Sequence, residues 1–190
     1  DETGRPEYIA ADLIAQCEHD PNARGCLVTT SEELANDTLA EIELQLQQRT
    51  TEEVARASWS NKGMVVVTDS LSDAARFANE YAPEHLEIHA RDPRAVLPML
   101  TSYGSLFLGE QTPEVYADKI AGPNHILPTG AAARYTGGLW VGMFLKVITH
   151  MEVAQPGSSL LARHTVTQSS FEGMDAHRNA AAIRLRDLEA

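Results

Sequence analysis

Met64-Val65-Val66-Val67-Thr68, followed by a helical stretch over 71–81, is the pair of segments on which the fold turns. A continuous apolar run closed by Thr68 suits a strand buried on both faces, the pattern of a sheet covered by helices. The same strand-then-helix grammar extends upstream. Cys26-Leu27-Val28-Thr29-Thr30 is a short β-prone run, and Ser31 with Glu32 and Glu33 suits a helix start over 32–48. Leu34 in the third place leaves the capping box incomplete. Thr51 to Ser58 reads as a further short helix and Asn61-Lys62-Gly63 as a turn. At the start, Pro6 occupies a tolerated first-turn position and Ile9, Leu13 and Ile14 recur at helical spacing, predicting a helix over 6–19.

Downstream, His85-Leu86-Glu87-Ile88-His89-Ala90 alternates with period two. Residues 93–100 suit a short helix across Pro98, and Gly104-Ser105-Leu106-Phe107-Leu108-Gly109 is one more apolar strand. Alternating strands and helices predict an α/β fold with a layered, mostly parallel sheet, flanking helices and ligands gathered at strand ends. From Gly122 to Gly142 the chain carries two prolines and five glycines, unsuited to one regular element. The expected division is therefore an α/β zinc and catalytic domain over 1–121, a Gly/Pro-rich connecting loop over 122–142, and a helical C-terminal arm over 143–190. Helices are expected over 144–153 and 158–171, with a final arm over 177–188.

Fifteen Lys and Arg against 27 Asp and Glu give a net charge of -12. That balance disfavours a nucleic-acid partner, because neutralising phosphates takes clustered cations. Two cysteines, Cys17 and Cys26, form no spaced framework, which predicts a reducing compartment and a cytoplasmic chain. No apolar run reaches the roughly 20 residues of a bilayer span. The start, Asp1-Glu2-Thr3-Gly4-Arg5, lacks the basic-then-apolar order of a signal peptide. No membrane partner is expected.

Chemistry-bearing residues fall into four clusters. Gln16 and His19, three apart on one helix face, can converge on a single ion, although a solvated face near a helix end is the commoner reason for such a spacing. Glu84 and His85 adjoin between a helix and a strand, where a carboxylate can tune an imidazole for general acid and base work, or where polar surface residues simply follow the helix-ending Pro83. Asp118, Asn124 and His125 lie within eight residues of partly irregular chain, suited to a binding loop or simply to a turn. Glu172 and His177 are five apart, a spacing that a solvated surface pair would also show. Neither a P-loop nor the strand, Gly-x-Gly-x-x-Gly, helix order of a dinucleotide site is present.

Taken together these segments resemble histidinol dehydrogenase over nearly the whole chain. The matching blocks are Tyr8 to Asp20 with its Gln16-Cys17-Glu18-His19, Asn79 to Glu87, Gly122 to Thr129, and Glu172 to His177. The resemblance implies an incomplete Rossmann-like domain that forms the C-terminal half of a zinc-dependent, NAD-linked oxidoreductase. Gln16, His19, Asp118 and His177 would hold Zn2+. His85 would be the base, Glu84 would activate water, and His125 and Glu172, with Asp118 and His177, would contact substrate. The implied reaction takes L-histidinol through the aldehyde to L-histidine, with the NAD site largely outside this chain. It also implies a homodimer with shared active sites.

Two features depart from the family pattern. Ala117-Asp118-Lys119 stands where Gly-Asp-Tyr is usual, and Tyr135-Thr136-Gly137-Gly138-Leu139-Trp140 is similar to relatives that oxidise other small polar alcohols, such as sulfopropanediol. The alternatives are therefore a paralogous dehydrogenase of such an alcohol, or a non-catalytic metal-binding and dimerisation fragment.

Overall fold

Ser31 ends the first strand by capping the helix that follows, its Oγ accepting the Leu34 N–H at 3.1 Å. Such local signals set most of the elements. The computed structural model describes residues 1–189. Its elements are α1 (Pro6–Cys17), β1 (Cys26–Thr29), α2 (Glu32–Leu46), α3 (Glu52–Lys62), β2 (Met64–Val67), α4 (Leu71–Tyr81), β3 (His85–Ile88), α5 (Pro93–Val96), β4 (Ser105–Leu108), α6 (Glu114–Lys119), α7 (Gln155–Phe171) and α8 (Asp175–Glu189). They divide into two units, Asp1–Phe144 and Leu145–Ala190.

In the first unit, β1 pairs with β2 and β3 with β4, both in parallel, so the α/β class is as expected. The single sheet is not: the strands form two separate two-stranded sheets. Beneath β1, the apolar stripe of α1 meets α2 and α3 through Ala10, Ile14, Cys17, Ile42, Leu46 and Ala55. A second core joins α4 to β3, α5 and β4 through Ala75, Ala78, Val96, Leu100 and Leu106. Asn79 ties α4 to the approach of β4. Its Oδ1 accepts the Thr101 N–H at 2.7 Å and its Nδ2 donates to the Met99 carbonyl at 2.8 Å.

Four sequence expectations are corrected. Asn61 and Lys62 are not a turn but the last residues of α3, and Gly63 ends it. The Met64–Val67 strand is not buried on both faces. It is an outer strand, with Val67 50% exposed. Asp118 lies on a short helix, α6, rather than in irregular chain. Residues 145–154 form no helix. The β-branched run Val147-Ile148-Thr149 loses side-chain freedom in a helix, and the exposed Val147 and Ile148 gain no burial to offset it.

The second unit packs α7 against α8 across Glu172-Gly173-Met174. Gly173 takes a left-handed conformation there, φ +71°. No described helix of either unit is long and apolar enough to cross a membrane.

Candidate active site

α4 ends on Ala82, buried and left-handed at φ 51°, and Pro83 then starts the turn into β3. A left-handed alanine costs about 1 kcal/mol, so the packing around it holds this bend in place. The bend sets Glu84 and His85 at the entrance of β3. Ser105 N–H donates to the Glu84 carbonyl at 2.8 Å, and Gly104 N–H to that of Pro83 at 3.0 Å. A Cβ at Gly104 would lie 2.5 Å from the Glu84 carbonyl oxygen and 3.0 Å from Pro128 Cδ. Only glycine lets these two loops approach so closely.

The loop bearing His125 is organised by its neighbour. Asn124 Nδ2 donates to the carbonyls of Ile126 and Leu139, at 3.1 and 2.6 Å, and its Oδ1 accepts the Ile126 N–H at 2.9 Å. Leu139 N–H closes the loop onto the Ile126 carbonyl at 2.9 Å. Gly138, at φ +84°, lets that contact form. Asn124 thus spends its amide on hydrogen bonds within its own loop, as the turn reading of this segment expects, and His125 stands beside it in irregular chain.

These supports bring four side chains together. The His85 and His125 rings stack with centroids 5.4 Å apart. His125 Nε2 lies 2.8 Å from Asp118 Oδ1, and His85 Nε2 lies 3.6 Å from Glu114 Oε1. Asp118 also pairs with Lys119. Glu114 and Asp118 stand four apart on α6 and so share one face. Glu87 anchors that helix, its Oε1 accepting the Glu114 N–H at 2.7 Å.

Burial lowers the pKa of His85 and raises that of Glu114. Asp118 is held low by its hydrogen bond with Lys119, while the charge of His19 reaches both Glu114 and Asp118. His85 Nε2 is buried without a hydrogen-bond partner. Such an atom is costly to bury unless a ligand completes it.

α1, which carries Gln16 near its end, packs against α6; the helix expected over 6–19 stops at Cys17, so His19 lies two residues beyond it and the two residues do not share one helix face. Glu172 closes α7, accepting from Gln168 Nε2 at 2.9 Å, and His177 is exposed in the first turn of α8. Both belong to the second unit.

Two sets of metal-capable groups stand out among the described residues: His85, Glu114 and His125, and separately Asp12, Glu87 and His89. Sequence reasoning missed Glu114, Asp12 and His89, and took Glu87 only as part of a motif. The four-residue spacing from Glu114 to Asp118 is the signal that would have found Glu114. It carries meaning only once α6 is known to be helical.

Two histidines and two carboxylates facing one another at a strand entrance define a polar site suited to proton transfer and cation binding. A sequence model of the family described as histidinol dehydrogenase matches residues 1–185. The chain belongs to the histidinol dehydrogenase family.

Among its relatives is the histidinol dehydrogenase homolog of Shouchella clausii, 41% identical over 186 residues. That match covers 98% of this chain and 44% of the relative. The histidinol dehydrogenase of Geobacter sulfurreducens is also 41% identical over 186 residues, covering 98% and 43%. The crystal structure of histidinol dehydrogenase from Elizabethkingia anophelis superposes with a TM-score of 0.93 at 34% identity, covering 99% of this chain and 43% of that one. The chain thus spans less than half the length of these relatives.

Proposed function

We propose that this chain is the zinc and catalytic portion of an enzyme that oxidises L-histidinol to L-histidine with NAD, in histidine biosynthesis. The observation that carries the reading is the convergence of His85, Glu114, Asp118 and His125 in a member of this family. Gln16, His19, Asp118 and His177 would hold the zinc. Their amide oxygen, imidazole nitrogens and carboxylate fit its preference for N and O donors. When bound, zinc supplies a Lewis acid that grips the amino alcohol, and NAD, held largely outside this chain, accepts the hydride.

The chain's own residues handle the protons. Burial keeps His85 neutral, and its unpartnered Nε2 is free to take the proton of a substrate hydroxyl. Glu84, at the same turn, activates the water that attacks the aldehyde. His125, stacked on His85 and tied to Asp118, orients the substrate, and in the homodimer that the family resemblance implies, Glu172 and His177 of a second copy would complete the pocket. Large apolar patches left on a surface mark interaction sites. The exposed Leu145, Val147, Ile148 and Met151, with Leu160 and Phe171 of α7, support a homodimeric arrangement.

A second reading keeps the chemistry and changes the alcohol. Lys119 pairs with Asp118 where the family usually has a tyrosine, and a cation beside the site suits a substrate with an anionic group, such as sulfopropanediol. The discriminating experiment follows NADH formation by a polypeptide of full family length carrying this chain. Turnover of L-histidinol supports the first reading. No turnover of it, with turnover of another small polar alcohol, overturns the first in favour of the second.

A further inference from the structure

Asp12, Glu87 and His89 take no part in the chemistry proposed above, yet they form a polar cluster of their own. His89 Nε2 lies 3.1 Å from Glu87 Oε2 and 3.6 Å from Asp12 Oδ2, and the three side chains are between 11% and 21% exposed. Glu114 on α6 adds its charge to theirs. Two ionised carboxylates side by side and this far from water repel strongly, so the Asp12–Glu87 pair keeps one proton. Burial and the neighbouring Glu87 push the Asp12 pKa up to about 7, and the two carboxyls share a hydrogen bond.

Glu87 spends its other oxygen on α6. Its Oε1 accepts the Glu114 N–H at 2.7 Å. Glu114 is the first residue of α6, where an amide has no partner within the helix. Pro113, in the capping position, offers no side-chain cap. A helix of six residues has little stability of its own, so this bond from β3 sets where α6 begins.

The spacing on each element ties the pair to the candidate site. Asp12 and Gln16 are four apart on α1 and share a face. Glu87 comes two residues after His85 on β3, so both side chains leave the same face of the strand. Glu114 and Asp118 are four apart on α6. Hydrogen bonds from Asp12 to Glu87 and from the Glu114 amide to Glu87 thus join three elements one repeat away from Gln16, His85 and Asp118.

We propose that Glu87 is a positioning residue and Asp12 its support. Glu87 caps α6 from β3, the Asp12 O–H holds Glu87, and the two together keep Asp118 and Gln16 at the separation one zinc ion requires and Glu114 against His85. This role rests on the reading of Gln16 and Asp118 as zinc ligands, whereas the cap on α6 does not.

The experiment uses full-length protein carrying this chain and has two readouts. One is hydrogen–deuterium exchange at the Glu114 amide in zinc-free protein, and the other is zinc affinity by chelator competition. Glu87→Ala should speed exchange at Glu114 by at least about tenfold and weaken zinc binding by at least about tenfold. Glu87→Gln should keep both near the parent, because its amide oxygen accepts the Glu114 N–H while its Nε2 donates to an ionised Asp12. Asp12→Ala should move both readouts as Glu87→Ala does. Asp12→Asn, whose amide replaces the O–H donor, should restore them. Val96→Ala, which hollows the core between α4 and α5, should lower the melting temperature and leave both readouts unchanged.

Parent-like exchange at Glu114 in Glu87→Ala would overturn the cap. Faster exchange there with parent-like zinc affinity would overturn the positioning role, and so would Gln and Asn variants that behave like the alanine ones. If Glu87→Ala does not fold, Asp12→Ala against Asp12→Asn decides by the same readouts. A parent that binds no zinc would overturn the zinc reading and the positioning role with it, and faster exchange at Glu114 in Glu87→Ala would still leave the cap standing.

Discussion

At the residue scale the site depends on side chains that other side chains hold. Asn124 makes three hydrogen bonds within its own loop and none to His85 or Asp118, yet it fixes where His125 stands. Asn124→Ala should leave the melting temperature nearly unchanged, because the residue is exposed, while raising KM more than it lowers kcat in the full-length enzyme. Steady-state kinetics with L-histidinol checks this. A fall in kcat alone would mean that His125 acts on the reacting atoms rather than on binding.

Asp12 gives a pH test that needs no substrate. Burial, with Glu87 beside it and Glu114 adding to the repulsion, pushes its pKa up to about 7 against the opposing pull of His89. The folded state then holds a proton that the unfolded state has released above about pH 4. Stability therefore falls as pH rises through the interval from about 4 to 7. Asp12→Asn should melt higher than the parent at pH 8 and close to it at pH 4, read by thermal denaturation.

Little of this residue-level chemistry was legible in the sequence. The sequence singles out Gln16, His19, Glu84, His85 and His125 because they fall in recognisable blocks, and Asp118 because it clusters with Asn124 and His125. It does not single out Glu114, Asp12 and His89, because their meaning comes from which elements meet, and chain spacing does not carry that.

At the scale of elements, legibility followed the strength of local signals. The 71–81 helix matches its expected bounds because Ser70 caps it, accepting the Asp73 N–H at 3.1 Å, and because a left-handed Ala82 before Pro83 ends it. The expected 144–153 helix does not form, because its β-branched Val147-Ile148-Thr149 run gains no burial to offset the freedom a helix would take from it. The short α6 was missed because six residues carry too little periodicity to separate helix from loop.

Close backbone approach makes the sharpest test at this scale. Gly104→Ala would force a methyl to within 2.5 Å of the Glu84 carbonyl oxygen. It should cost about 1–3 kcal/mol of stability, read by urea denaturation, and displace His85. In the helical layer, Ile42→Ala should cost about 2–5 kcal/mol, since Ile42 is 1% exposed beneath α1.

At the scale of the whole molecule, the α/β class follows from the sequence, whereas the division into two short sheets does not. Apolar runs reveal strands, but which strands pair depends on what lies between them. The sequence blocks also led to the family, through the order in which they occur rather than through any one of them. What the family adds is a metal-dependent reading of Gln16, His19, Asp118 and His177, and that reading is the central claim.

Its most direct test is the zinc content, with X-ray absorption at the metal, of full-length protein carrying this chain, parent against Asp118→Asn and His19→Ala. The account predicts one tightly held zinc with nitrogen and oxygen ligands in the parent and at least about tenfold weaker binding in each variant. Equal zinc affinity in all three proteins, or a parent that holds none, would contradict it.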